Sequence, residues 1–189
     1  LAIGDVSGDG KPDLAVANFD VGTLSVLLGN GAGGFGAKTD FATGSGPRSV
    51  AVADVNGDGK LDLATANGIF SLVSVLLGNG VGGFAAKTDF ATGVQPRSVA
   101  IGDLSGDGKP DLAVANATDA TVSVLLGSGG GAFGAKTDFA TGANPRGLAI
   151  GDVSGDGKPD LAVANVDVGT LSVLLGNGAG GFGAKTDFA

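Results

Sequence analysis

The chain has 189 residues, 38 of them glycine, and a formal net charge of −8. It lacks Cys, His, Met, Trp and Tyr, and all 19 of its acidic residues are Asp. This composition excludes a disulfide framework and a thiol nucleophile, and it leaves no His or Cys ligand for zinc or haem. An acidic chain with only Arg48, Arg97 and Arg146 beside its lysines is a poor nucleic-acid binder, and no apolar run approaches the ~20 residues of a membrane span.

The elements recur in chain order with a step of 49 residues: the run that begins at Asp5 returns at Asp54, Asp103 and Asp152. The units are 1–49, 50–98, 99–147 and a shorter 148–189, forming one array without linkers. Within a unit the first predicted strand is Leu1-Ala-Ile3, or Ser49-Val-Ala-Val52 in the next copy, with apolar residues at period two. The second is Asp13–Ala17, the third Leu24–Leu28 and the fourth Lys38–Ala42, each bounded by Gly, Asn, Asp or Pro. Asn30-Gly31, Asn79-Gly80 and Asn177-Gly178 mark the turn after the third strand. Nothing carries a helical period. The chain is therefore predicted to be all-β, a β-propeller-type array of four-stranded antiparallel blades. Phe35, Phe84, Phe133 and Phe182 form one register, and Phe41, Phe90, Phe139 and Phe188 a second. Both are expected to fill the contacts between blades, because repeat units bury their faces on their neighbours.

The loop between the first two strands holds the most specific chemistry. It supplies oxygens at positions 1, 3, 5 and 9 and a backbone carbonyl at 7, with Gly at 6 for the tight turn, which is the start of a calcium loop of EF-hand type. The candidate ligands are Asp5, Ser7, Asp9, the Lys11 carbonyl and Asp13 in unit 1, and Asp54, Asn56, Asp58, Lys60 and Asp62 in unit 2. Units 3 and 4 repeat them as Asp103, Ser105, Asp107, Lys109 and Asp111, and as Asp152, Ser154, Asp156, Lys158 and Asp160. Three carboxylates so close repel one another unless a cation sits between them. Position 12, where an EF-hand has its bidentate Glu, is Val16, Thr65, Val114 or Val163 inside the second strand. Four calcium ions are expected, one per unit, and they would bring the formal charge from −8 to neutral.

The run Asp54–Ala64, with Gly83-Phe84 and the Gly-x-x-Pro-Arg segment ending at Arg48, resembles the FG-GAP or VCBS-type repeat. That family includes the calcium-binding blades of integrin α-subunit propellers and many bacterial surface proteins. The resemblance spans the whole chain and implies an extracellular or cell-surface propeller of about seven blades, serving structure or adhesion. The alternative is a lectin-like propeller that binds carbohydrate. With neither His nor Glu, histidine triads and Glu acid–base chemistry are excluded, and the chain reads as a non-enzyme.

Three further features carry expectations. Asp40, Asp89, Asp138 and Asp187 recur in Lys-Thr-Asp-Phe and read as an ordinary polar strand face. Arg48, Arg97 and Arg146 each follow Pro and should line one face, paired with a nearby Asp or carbonyl. Units 1 and 4 differ only at Phe19 against Val166 over their shared residues, and no capping segment is visible. The chain is thus expected to be a segment of a longer array, or to join head to tail with copies of itself, for example as eight blades from two chains.

Overall fold

The computed structural model describes residues 1–189, and every regular element in it is a β-strand. Unit 1 contributes β1 (Ala2–Gly4), β2 (Asp13–Asn18), β3 (Thr23–Leu27) and β4 (Thr39–Ala42). Unit 2 contributes β5 (Pro47–Ala53), β6 (Asp62–Asn67), β7 (Leu72–Leu76) and β8 (Thr88–Ala91). In unit 3, β9 (Pro96–Gly102), β10 (Asp111–Asn116) and β11 (Thr121–Leu125) are followed by a small hairpin, β12 (Gly127–Gly129) and β13 (Ala132–Phe133), before β14 (Thr137–Ala140). Unit 4 has β15 (Pro145–Gly151), β16 (Asp160–Asn165), β17 (Thr170–Leu174) and β18 (Thr186–Phe188). Each unit is one four-stranded antiparallel sheet with its strands in sequence order, so the predicted blade is the observed one.

Between units, the first strands approach one another most closely: β1 packs on β5, β5 on β9 and β9 on β15. The fourth strands lie on the far side of each sheet. The blades therefore fan from a common inner edge.

No blade owns a core. Val6, Ala15, Leu24 and Val26 of unit 1 pack against Val50, Leu63 and Leu76 of unit 2. The same arrangement joins units 2 and 3, where Ala64, Ala66, Val73 and Val75 meet Leu112, Val114 and Leu125. It recurs between units 3 and 4, where Leu104, Ala113 and Val122 meet Leu161, Val163 and Leu174. One face of each sheet thus offers small residues and the other offers leucines, so neighbouring sheets interdigitate. Both Phe registers meet in these seams, as expected. Phe41–Phe84, Phe90–Phe133 and Phe139–Phe182 are edge-to-face pairs with centroids 5.2, 5.2 and 5.3 Å apart.

The two outermost faces have no such partner. Val6, Val55 and Leu104 are 3%, 3% and 1% exposed, whereas the equivalent Val153 is 59% exposed. Leu171 and Phe188 are exposed beside it on unit 4, as are Ile3 and Phe35 on unit 1. No strand of unit 1 packs on a strand of unit 4, so the four blades form an open array.

The recurring Asp of the fourth strand does more than face solvent. Ser25 Oγ donates to Asp40 Oδ1 at 2.5 Å, and Asn18 Nδ2 donates to Ser25 Oγ at 2.8 Å, while Lys38 Nζ pairs with the other carboxylate oxygen. The next units repeat this relay through Ser74 and Asp89, Ser123 and Asp138, and Ser172 and Asp187. The serine hydroxyls also receive Gly44 N, Gly93 N and Gly142 N from the preceding unit at 3.3, 3.0 and 3.0 Å, stitching blade to blade. Lys38 and Ser25 hold the Asp40 carboxyl below its ordinary value, and Lys185 and Ser172 do the same for Asp187. A depressed folded value means that the stabilisation is complete above the ordinary Asp range, about pH 4, and is lost as pH falls through the lower folded value. The melting temperature is accordingly expected to drop on acidification below about pH 4. The drop should be shallower in Asp40→Asn, and an equal slope in that variant would contradict the assignment.

Candidate functional site

Each Asp-rich loop is a tight connection from the first strand to the second, stabilised by its own acids. In unit 2, Asp54 accepts Gly57 N at 2.7 Å, Asp58 N at 3.2 Å and Gly59 N at 2.7 Å. Asp103 and Asp152 repeat the pattern on Gly106, Asp107 and Gly108 and on Gly155, Asp156 and Gly157. Asp5 accepts Asp9 N and Gly10 N at 3.1 and 2.8 Å. The position-one carboxylate thus curls the chain around itself, with Gly10, Gly59, Gly108 and Gly157 at φ near +80° at position six.

The position-nine carboxylate anchors the loop to the blade. Asp62 is fully buried, and its two oxygens accept Val55 N at 3.0 Å and Gly78 N at 2.7 Å. Asp13, Asp111 and Asp160 make the equivalent bonds to Gly29 N, Gly127 N and Gly176 N at 2.8, 2.7 and 2.8 Å. Burial, together with the charges of Asp58 and Asp54, pushes the Asp62 carboxyl above its ordinary value against the pull of those N–H groups. Burial leads that shift, and the two neighbouring carboxylates add to it.

Position five turns outward. Asp9, Asp58, Asp107 and Asp156 each pair with the Lys at position seven, at 2.9, 3.4, 2.9 and 3.3 Å. These contacts and the Lys backbone N–H hold all four carboxyls below their ordinary value. At position three, Ser7, Ser105 and Ser154 donate loosely to the position-one carboxylate, and the Asn56 oxygen accepts Asp58 N at 2.8 Å. With the position-five group drawn to Lys, no three carboxylates of a loop converge as a metal-binding group. Every candidate donor is nonetheless an oxygen within one nine-residue turn, a donor set suited to a hard dication.

The arginines depart from expectation. All eight ion pairs in the chain are Lys–Asp pairs two residues apart, and none involves an arginine. Arg48 instead lies over the Phe19 ring at 4.3 Å. Arg97 and Arg146 reach only side-chain oxygens, those of Gln95 and Asn144, each at 3.4 Å. The physical reason is a β-bulge. The ladder pairs Pro47 with Asn67 and then Ser49 with Ala66, skipping Arg48, and it skips Arg97 and Arg146 in the same way. A bulge re-aims its extra residue out of the sheet. The Pro-Arg step was visible in the sequence, but the re-aiming was not.

No helix is long and apolar enough to cross a membrane. No curated relative matches the chain at a significant level. Among solved structures, a lectin from Agrocybe aegerita, described for its specific recognition of non-reducing terminal N-acetylglucosamine, is 26% identical with a TM-score of 0.64, over 97% of this chain and 50% of that one. A putative 6-phosphogluconolactonase from Bacteroides fragilis is 21% identical with a TM-score of 0.74, over 99% and 54%. A functionally unknown protein from Desulfotomaculum acetoxidans is 14% identical with a TM-score of 0.67, over 92% and 51%. The chain thus spans about half the length of the structures it resembles. The family model for the FG-GAP-like repeat matches residues 5–65, 68–114 and 106–163, which takes in all four Asp loops. With its sheet order, its Asp loops and that match, the chain belongs to the FG-GAP-like repeat family.

Proposed function

We propose that this chain is a calcium-stabilised, non-enzymatic β-propeller module that serves structure or adhesion outside the cell. It would dock through its open blade faces onto copies of itself or further repeats. The observation that carries the reading is the fourfold recurrence of one loop geometry, in which the first and ninth carboxylates are fixed by backbone N–H groups. A dication would draw the position-five carboxylate from its exposed Lys toward the other oxygens of the loop. Asp5, Ser7, Asp9, the Lys11 carbonyl and Asp13 would hold the ion in unit 1, with the equivalent residues in the other three. A bound dication would offset the charge of the three carboxylates of each loop. An extracellular setting suits this role, because millimolar calcium fills even weak oxygen sites.

Calorimetric titration with calcium should give four sites per chain, and excess chelator should lower the melting temperature, because metal binding free energy is coupled to folding. Asp58→Ala should remove one site and weaken its own unit most. No calcium heat, together with unchanged melting in chelator, would overturn the reading.

The likeness to the Agrocybe aegerita lectin favours a second reading, carbohydrate binding. A glycan array on calcium-loaded protein separates the two. Saturable preference for one sugar would support the lectin reading, and none is expected of a structural module.

A further inference from the structure

We propose that Arg97, with Arg48 and Arg146 at the equivalent positions of the flanking blades adding to its positive field, forms an oxyanion-binding site at the inner rim of the blades. It would take the carboxylate, sulfate or phosphate group of a small polar ligand. The fold puts the three on neighbouring strands. Each is the extra residue of a bulge near the start of a first strand, and β5, β9 and β15 lie side by side in successive blades. Their charges act on one another: burial first, then Arg48 and Arg146, push the Arg97 guanidinium below its ordinary value.

Nothing in the chain neutralises them, although the protein carries a net charge of −8 and all eight of its lysines are paired with Asp. Arg97 Nε is buried and has no hydrogen-bond partner. A buried charge-bearing donor left unsatisfied is costly, so its persistence calls for an acceptor from outside the chain.

A pocket of about 330 Å³ opens beside it, at the low end of the ~300–1,000 Å³ typical of ligand sites. Its polar lining is Gln95, Arg97, Thr118, Asn144 and Asp167. The one carboxylate there is already engaged, since Asp167 Oδ1 accepts Asn144 Nδ2 at 2.7 Å. Nearby Asp119 likewise accepts Val94 N at 2.7 Å. Gln95 and Asn144 hold φ of 58° and 54° at the repeat position where Gly46 holds 66°, so the same left-handed turn precedes each arginine. The planar guanidinium fork matches a two-oxygen face, which favours an oxyanion over a halide or a neutral sugar.

The test is calorimetry on the whole chain at low ionic strength, with calcium present throughout. The probes are sodium sulfate, methyl phosphate and sodium glucuronate, with glucose and ionic-strength-matched sodium chloride as controls. A single saturable site for one or more of the oxyanions is expected, and none for glucose or chloride. Which oxyanion binds tightest identifies the group that the site selects. Arg97→Gln should weaken binding about tenfold or more, because a charge-assisted hydrogen bond is lost. Arg97→Lys should be intermediate, and Lys38→Gln should bind like the parent chain. Without oxyanion, Arg97→Gln should melt at the same temperature as the parent or higher, since it removes a like-charge neighbour, whereas a purely structural Arg97 would give a lower one. Absence of saturable oxyanion binding by the folded chain, equal binding by Arg97→Gln, or a lowered melting temperature in that variant would overturn the proposal.

Discussion

Gly78→Ala is expected to destabilise the chain by on the order of 4 kcal/mol, among the largest effects of any single methyl group here. A Cβ at Gly78 would lie 2.1 Å from the Leu61 carbonyl oxygen, and the same contact is 2.0 Å at Gly29 and Gly176 and 2.2 Å at Gly127. The obstacle is backbone on backbone, so no rotamer change relieves it. Overpacking costs about 1–3 kcal/mol. The strand must also move off Asp62, whose Oδ1 receives Gly78 N at 2.7 Å, and a hydrogen bond to a buried carboxylate is worth about 1.5–3 kcal/mol more. Gly59→Ala is the control. Its φ of +80° makes alanine strained, but nothing lies within 4 Å, so only about 1–2 kcal/mol is expected. Denaturant midpoints for the two variants decide the matter, and equal losses would contradict the role given to the carbonyl contact. Because Gly78 N holds the ninth-position carboxylate, the proposed calcium role further predicts that its variant binds calcium more weakly in the second loop than in the others.

Leu104→Asn and Val153→Asn place one substitution at one repeat position in two environments, and opposite outcomes are expected. Leu104 is 1% exposed and sits in the seam between units 3 and 4. Burying an amide there and losing the leucine should cost about 4 kcal/mol or more. Val153 is 59% exposed on the open face of unit 4, so the same change should alter stability of the dilute chain by less than about 0.5 kcal/mol. Its effect should appear in association instead. The front face of unit 4 carries the residues with which unit 1 receives unit 2, so a second copy can dock there as a blade does within the chain. Light scattering in calcium should show higher-order species for the parent chain and fewer for Val153→Asn. A Val153→Asn variant as unstable as Leu104→Asn would mean that the face is covered in the folded chain.

The sequence alone determined the features that are local and repeated. The 49-residue step, the four strands of each unit, their turns and the Asp loops all follow from spacing within about fifty residues, and the loops were readable four times over. The paired Phe registers belong with them, since a position filled by Phe in every copy has few places to go but the seam between copies. What the tertiary structure decided depends on groups far apart in the chain. Asp40 looked like a solvent-facing acid until Ser25 and Asn18 were brought beneath it, and Ser74, Ser123 and Ser172 also receive an N–H from 30 residues before them in the preceding unit. The prohibition on a side chain at Gly78 comes from a carbonyl at Leu61 on another strand, where spacing says nothing of distance. The arginines were found by their motif but not their company, because a one-residue bulge takes them out of the strand ladder, so that Arg48 meets a Phe ring and Arg97 and Arg146 meet amide oxygens. Periodicity specifies which residues share a face of a sheet; what that face meets is set by the packing of separate sheets, and only the folded chain holds that information.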